Sequence, residues 1–219
     1  MTHTMHRLQI NSGYQAVAKG ISIRAMPLNH GHARLTNEPY DSTAFFVRHD
    51  ITGKEFLFFG DVQPDKLSAA PRTLAVWRAA APKIPHDLNT IFIECSYPLG
   101  RQDQLLYGHL NPEHLADELV ALAREVANVQ KGLTRQDGSP VKKKPRRHDT
   151  VPVRGATDDL RGSLSGVRVF IIHCKEDLSA QFQQPINLVI ANQIRTLVDE
   201  LRLGADIIAA EQGMHIRES

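Results

Sequence analysis

Three polar residues stand at or just beyond the ends of strongly apolar runs. His30 follows GISIRAMPLN, Asp61 follows KEFLFFG and His173 follows VRVFII. Because α/β proteins assemble their chemical sites at strand ends, these residues are candidates for one shared site. Two imidazoles and one carboxylate suit a divalent metal such as zinc. Zinc normally takes four ligands, so the sequence predicts part of a metal site rather than a complete one.

Two further residues are candidate catalytic groups. Glu94 interrupts the apolar run IFIEC, and a buried carboxylate needs a hydrogen-bond partner or a metal. His109 stands in YGHLNP, immediately before a predicted helix, in whose first turn His114 is predicted to be a surface residue. At that position an imidazole can donate a proton or orient an anion.

Each candidate also has a non-catalytic interpretation. Asp61 can start a turn before Gln-Pro-Asp, and His30 can be an ordinary histidine of an Asn-His-Gly loop. His173 can be a core histidine with its hydrogen bonds satisfied. Glu94 can face solvent on a half-exposed strand, and His109 can simply pack at a helix start. The residue pattern alone leaves both sets of interpretations open.

Composition predicts one globular domain over residues 14–215. The chain has 219 residues, of which 42% are hydrophobic, and its net charge of +2 creates no global field for nucleic acid. No apolar run approaches the roughly 20 residues of a membrane span. Cys95 and Cys174 lie in apolar surroundings and are interpreted as buried free thiols. These features predict a cytoplasmic protein without a membrane partner.

The elements that must position the candidates follow a simple order. Antiparallel strands come first, and helix–strand alternation follows, which predicts an α/β sandwich with helices covering sheets. The predicted elements are a strand in 14–28 entering a loop at Pro27, a loop at 32–42, a hairpin of 42–50 and 54–61, a helix at 71–81, a strand at 89–98, a helix from Asn111 to Gly132, a strand at 166–174, a helix at 185–203 and a last strand in ADIIAAEQG.

Residues 131–163 differ from the rest of the chain in composition. They are rich in Lys, Arg, Pro, Gly and Asp, which predicts a disordered basic insert within the domain. Its VKKKPRR tract is either a solvated charge run or a tract for nuclear localisation or polyanion binding. A nuclear location is therefore the alternative to a cytoplasmic one.

Several stretches, in the same order along the chain, resemble the class II cyclic-nucleotide phosphodiesterases of the fungal low-affinity cyclic AMP type. They cover most of residues 20–213 apart from the basic insert. The matching stretches are PLNHG, STAFFVRHDITGKEFLFFGDVQPD, IFIECSYP, LLYGHLNPEHLADEL and VFIIHCKED.

The resemblance implies a fold and a role for each candidate. It implies an αββα metallo-β-lactamase-like sandwich with a two-metal site between the sheets. His30 then corresponds to a metal ligand, Asp61 to the bridging carboxylate and His173 to the last histidine ligand. His109 and Glu94 fall in the region beside the scissile phosphate, where His109 would protonate the leaving oxygen or brace Asp61.

One family feature is absent. The signature His-x-His-x-Asp-His should lie well upstream of His30, and the 29 preceding residues do not contain it. We therefore expect an incomplete sandwich that lacks its N-terminal half, either a fragment or a natural remnant. Such a chain would hold at most one cation, expected to be zinc, and hold it weakly. We also expect its uncovered sheet to promote poor solubility or homo-oligomers.

The predicted function is hydrolysis of 3′,5′-cyclic AMP to 5′-AMP by a metal-activated water, in cyclic AMP signalling. This chain is expected to be weakly active or inactive. One alternative is a non-catalytic remnant that binds a nucleotide or a partner protein. Another is a nucleic-acid phosphodiesterase of the same fold that grips phosphates with VKKKPRR.

Overall fold

One mixed sheet of seven strands, in sequence order, organises the computed structural model, which describes residues 7–32, 38–132, 158–176 and 181–216. The first four strands pair antiparallel, and the fourth to seventh pair parallel. The strands are β1 Gln15–Ala18, β2 Ile21–His32, β3 Pro39–His49, β4 Glu55–Phe59, β5 Leu88–Glu94, β6 Arg168–Ile172 and β7 Asp206–Ala209.

The strand directions bring several carboxyl ends to one edge of the sheet. β2 and β4 both run antiparallel to β3, so they run the same way as each other. β5 and β6 continue in that direction through parallel pairing. The carboxyl ends of β2, β4, β5 and β6 therefore share one edge, which we call the site edge.

Three helices of the described residues cover one face of the sheet. They are α1 Thr73–Ala80, α2 Pro112–Gln130 and α3 Ile186–Glu200, with α2 packed between the other two. Asn111 caps α2, because its side chain accepts a hydrogen bond from the His114 N–H. No helix in these ranges has the length and apolar composition to cross a membrane.

The core lies between the helices and the inward face of the sheet. Trp77 of α1 is fully buried there, as are the four apolar residues of α2 whose helical spacing predicted an inward stripe. Each large apolar side chain buried in this way contributes about 1.5–3 kcal/mol. The buried stripe of α2 consists of Leu115, Leu119, Leu122 and Val126, and the facing sheet residues include Leu57, Phe59, Ile91, Ile93, Val169 and Ile171.

The opposite face of the sheet is aromatic and partly open. Phe92 lies at its centre, stacked 5.0 Å from Phe170 and edge-on to Phe56 at 5.7 Å. Phe58 is 39% exposed, although it is a phenylalanine on a central strand. We call this surface, formed by Phe45, Phe56, Phe58, Phe92 and Phe170, the aromatic face. One sheet with one helical layer is half of an αββα sandwich, so the predicted α/β half-sandwich is confirmed.

The first two long strands extend further than predicted. The strand expected to enter a loop at Pro27 continues to His32, and β3 starts at Pro39, inside the predicted 32–42 loop. β1 pairs with β2 only as far as Ile23. Among the described residues, pairing on this side of β2 ends at the bridge between Ile10 and Ala25, so the missing N–H of Pro27 breaks no strand pairing there.

Helix α1 starts later than predicted, at Thr73, because a distant residue caps it. The Asp65 carboxylate accepts hydrogen bonds from the N–H groups of Arg72, Thr73 and Leu74, at 2.8–3.0 Å. The predicted hairpin is confirmed, with Gly53 at a φ of 71° in its turn.

Two predicted strands end earlier in the structure than the sequence indicated. The strand predicted at 89–98 ends at Glu94, and the last strand ends at Ala209. Within the stretch 131–163 that the sequence predicts as a basic insert, Asp158–Leu160 form a 3₁₀ turn and Leu160 joins the core. The VKKKPRR tract lies outside the described residues.

Candidate metal centre

The site edge gathers the five residues that the sequence marked as candidates. Asp61 follows β4, Glu94 ends β5 and His173 follows β6. His30 lies near the end of β2, and His109 precedes α2. Their convergence follows from strand direction, because strands that run the same way deliver their final residues to the same edge.

Asp61 lies between two imidazoles. Its Oδ1 is 2.9 Å from His173 Nδ1, and its Oδ2 is 3.7 Å from His30 Nε2. Each carboxylate oxygen therefore faces a different histidine. Gly60 lets the chain pass close to β3, since a Cβ there would lie 2.6 Å from Ser42 Oγ.

The backbone orients the ring of His30. Its Nδ1 lies 2.9 Å from the carbonyl oxygen of Gly108, and a carbonyl can only accept. Nδ1 therefore donates to this carbonyl, and Nε2 faces Asp61. Gly108 has a φ of 83°, and a Cβ on it would lie 2.4 Å from the His30 carbonyl oxygen.

The buried Glu94 carboxylate orients the ring of His109. The Glu94 carboxylate is 1% exposed, and its Oε1 lies 2.8 Å from His109 Nδ1 and accepts the Val62 N–H at 2.9 Å. Its Oε2 lies 2.7 Å from the Ser96 hydroxyl. These contacts satisfy the buried carboxylate and leave His109 Nε2 for a ligand or proton-transfer role.

His173 adopts a backbone conformation that histidine rarely takes. Its φ is 55°, in the left-handed region, which costs on the order of 1 kcal/mol or more. The Ser96 hydroxyl lies 3.0 Å from its carbonyl, and the Lys175 N–H bonds to the Ser96 carbonyl at 2.9 Å. This turn directs the imidazole at Asp61 as soon as β6 ends.

The donor set fits a divalent cation. One ligand atom from each of Asp61, Glu94, His109 and His173 lies within 4.8 Å of the others. His30 adjoins this group through Asp61, and its ring centroid is 4.7 Å from that of His109. Imidazole nitrogens and carboxylate oxygens at this spacing are the ligands that zinc and similar ions prefer, and a backbone carbonyl and a carboxylate hold the Nδ1 atoms of His30 and His109.

The cysteines do not join this donor set as thiolates. Burial raises the pKa of Cys95 well above its usual value, and burial with the nearby Glu94 charge raises the pKa of Cys174 to about 11. Both thiols therefore stay protonated at neutral pH. As predicted, neither forms a disulfide, although Cys174 is only partly buried.

The structure adds residues that sequence reasoning missed. Lys175 places its Nζ 3.0 Å from His173 Nε2, so a cation adjoins the cluster. Ser96 links the ends of β5 and β6, and Gly108 orients His30, as described above. His32 forms a His-x-His pair with His30 in the sequence, but it is exposed beyond the bulge at Gly31 and lies outside the donor cluster.

One histidine was placed wrongly from the sequence. His114, predicted to be a surface residue in the first turn of a helix, is buried, and its Nε2 lies 2.8 Å from Asp103 Oδ1. This contact joins the first turn of α2 to the 3₁₀ turn Asp103–Leu105. No local pattern in the sequence signals that packing.

The fold and the site define an α/β half-sandwich with a candidate metal site at the carboxyl edge of its sheet. Residues 2–213 match the family model of the class-II cAMP phosphodiesterases. The chain therefore belongs to this family, and the resemblance predicted from the sequence is confirmed.

Known proteins agree with this assignment. A 3′,5′-cyclic-nucleotide phosphodiesterase of Schizosaccharomyces pombe is 38% identical over 112 residues, which are 51% of this chain and 32% of the relative. The Candida albicans enzyme of that name is 28% identical over 212 residues, covering 89% of this chain and 44% of the relative. The crystal structure of unliganded yeast PDE1 aligns with a TM-score of 0.67 at 25% identity, covering 91% of this chain and 47% of PDE1. The chain thus spans less than half the length of each.

Proposed function

We propose that this chain carries one side of the catalytic centre of a metal-dependent phosphodiesterase that hydrolyses 3′,5′-cyclic AMP to 5′-AMP. The observation that carries the proposal is the position of Asp61, whose two oxygens each face a different imidazole. Family membership supplies the reaction class, and the donor set supplies the chemistry.

The proposed metal ligands are His30, Asp61 and His173. A divalent cation bound there supplies Lewis acidity and an activated water nucleophile. The protein's own side chains supply the other contributions, which are orientation of the ligands and proton transfer. His30 Nε2 is available because Gly108 holds the proton on the other nitrogen, and the turn at His173 presents its ring without a further change of the backbone.

We propose that His109 transfers a proton to the leaving 3′ oxygen. Glu94 fixes the ring through Nδ1, so Nε2 is the nitrogen that exchanges a proton with the substrate. Because the Glu94 carboxylate already has three donors around it, we assign it a positioning role rather than that of a general base.

Several finer expectations belong to the same proposal. We propose zinc as the cation, a cytoplasmic location, a role in cyclic AMP signalling and a single domain over residues 14–215 with the basic insert at 131–163. We also propose slow turnover by this chain alone, because its three ligands hold one cation weakly.

The test compares Asp61→Asn with the unchanged chain. We expect zinc affinity, measured by calorimetry, to fall at least about tenfold. Formation of 5′-AMP from cyclic AMP, followed by chromatography, should fall with it. Asp206→Asn is the control, since Asp206 is an exposed aspartate at the amino end of β7, away from the site edge. Unchanged zinc binding in Asp61→Asn would overturn the assignment of this carboxylate.

A second candidate is a non-catalytic remnant that binds nucleotide. The contact of Lys175 with His173 Nε2 favours it, because an ammonium at that nitrogen competes with a metal. Calorimetry with zinc and cyclic AMP separates the two candidates. Nucleotide binding with no 5′-AMP formed, at any zinc concentration, favours the remnant, whereas zinc-dependent turnover excludes it.

A further inference from the structure

Ser96 lies where three segments of the site edge meet, just beyond the end of β5, and it is fully buried. Its backbone N–H donates to the Leu110 carbonyl at 3.0 Å, and its own carbonyl accepts the Lys175 N–H at 2.9 Å. Leu110 directly follows His109, and Lys175 stands two residues beyond His173. The backbone of Ser96 therefore connects β5 to both segments that carry these imidazoles.

The Ser96 hydroxyl makes two further contacts. Its Oγ lies 2.7 Å from Glu94 Oε2 and 3.0 Å from the His173 carbonyl oxygen. A carboxylate oxygen and a carbonyl oxygen are both acceptors, so the single hydroxyl proton lies between two acceptors. The other carboxylate oxygen of Glu94, Oε1, contacts His109 Nδ1 and the Val62 N–H. One hydroxyl thus connects the carboxylate that orients His109 with the backbone of a proposed metal ligand.

The contact at His173 falls on a strained point of the backbone. His173 has a φ of 55°, and β6 ends one residue earlier, at Ile172. A left-handed conformation in a residue with a side chain persists only where surrounding contacts hold it. The Ser96 hydroxyl supplies such a contact at the carbonyl of the strained residue itself. Its removal should let this backbone relax and turn the imidazole away from Asp61, whose Oδ1 lies 2.9 Å from Nδ1.

We propose that Ser96 is a positioning residue of the catalytic centre that acts through Glu94 and His173. This inference rests on the proposed function, because it concerns the roles assigned there to His109 and His173. The hydroxyl couples the carboxylate behind the proposed proton donor to the turn that presents a proposed ligand. Groups that support ligands in this way typically change metal affinity or activity by roughly ten- to a hundredfold when they are removed.

The test compares Ser96→Ala with Ser96→Thr, which keeps the hydroxyl, by NMR of the labelled full chain without zinc. We expect Ser96→Ala to shift the ring signals of His109 and to move the Cα and Cβ shifts of His173 away from left-handed values, whereas Ser96→Thr should retain both. Ser96→Cys is a second variant in case Ser96→Ala does not fold, because a thiol is a weak donor. Ser22→Ala is the matched control, since Ser22 is also buried and its hydroxyl donates to Asp50 Oδ2 at 3.0 Å, far from the site edge. It too loses a buried hydrogen bond, but it should leave both sets of signals unchanged.

The outcomes separate this role from the proposed function. Changes at His109 and His173 in Ser96→Ala that are absent from Ser96→Thr support the positioning role, even where the chain hydrolyses no cyclic AMP. Unchanged signals in Ser96→Ala, or equal changes in Ser96→Thr, overturn it, because the hydroxyl then holds neither residue.

Zinc binding provides the second measurement. Zinc affinity, measured by calorimetry, should fall about tenfold in Ser96→Ala. Equal zinc affinity in Ser96→Ala and the unchanged chain also overturns the role of Ser96. If the unchanged chain binds no zinc, the proposed metal site fails, and the NMR comparison still decides whether Ser96 positions His109 and His173.

Discussion

At the scale of residues, the candidate centre depends on a few backbone positions as much as on its ligands. Gly108 takes a left-handed conformation and lies against His30, so its lack of a side chain lets the carbonyl reach the ring. His173 takes a left-handed conformation with a full side chain, which places its strain next to Asp61. These contacts orient the proposed ligands within the fold itself.

Gly108→Ala tests this dependence at a single atom. The new Cβ would lie 2.4 Å from the His30 carbonyl oxygen, so the loop must move and zinc affinity should fall about tenfold. Gly53→Ala is a matched control, because Gly53 has a similar φ of 71° but open space around it. Both variants carry about 1–2 kcal/mol of backbone strain, and only Gly108→Ala should lose zinc in calorimetry. Equal zinc binding by the two would show that the close approach to His30 is not needed.

At the scale of elements, helix α2 holds the loop that begins at Asp61. Glu118 of α2 accepts hydrogen bonds from Trp77 Nε1 of α1 and from the Asp65 N–H, both at 2.9 Å. Asp65 in turn caps α1. One buried carboxylate therefore connects two helices and the loop that carries a proposed metal ligand.

The burial of Glu118 predicts that the free energy of unfolding depends on pH. Burial raises the pKa of Glu118 from 4.5 to about 7, so the folded protein binds a proton that the unfolded chain has released. The contribution of Glu118 to the free energy of unfolding should therefore decrease as the pH rises from about 4.5 to 7, by about 3 kcal/mol at most.

Urea unfolding between pH 5 and pH 8 checks this prediction. Glu118→Gln cannot titrate, so its free energy of unfolding should decrease less with rising pH than that of the unchanged chain. Glu113→Gln, an exposed carboxylate in the first turn of the same helix, should keep the unchanged slope. If both variants have the same slope, Glu118 is not the titrating group.

At the scale of the whole molecule, the sheet is covered on one face by helices and is aromatic on the other. Exposed aromatic surface on a sheet is a common site of association. We therefore propose that the aromatic face is the surface through which copies of this chain associate.

Phe58→Ser tests this surface. We expect the unchanged chain to elute as oligomers in size-exclusion chromatography with light scattering, and Phe58→Ser to shift it toward monomer. Ile51→Ser is the control, because Ile51 is 85% exposed but lies in the β3–β4 hairpin, away from this face. If the unchanged chain elutes as a compact monomer at high concentration, the proposal is wrong.

Much of the local structure could be predicted, because it is decided by neighbours in the sequence. The helical spacing of Leu115, Leu119 and Leu122 predicted the buried stripe of α2, and Gly53 predicted the hairpin turn. Where a contact outside the local pattern matters, the prediction was wrong in detail: α1 begins at Thr73, which Asp65 caps, and His114 is buried in contact with Asp103. Neither contact has a local signal.

By itself the sequence determined which residues can do chemistry and that three of them lie close to the ends of strands, since apolar runs and polar breaks are local patterns. Only the tertiary structure decided that His30 is oriented by Gly108, 78 positions away, and that Glu94 is enclosed by Val62, Ser96 and His109. The physical reason is that a lone pair or a proton is directed by whichever group packs against it. In this protein those groups come from other strands and loops.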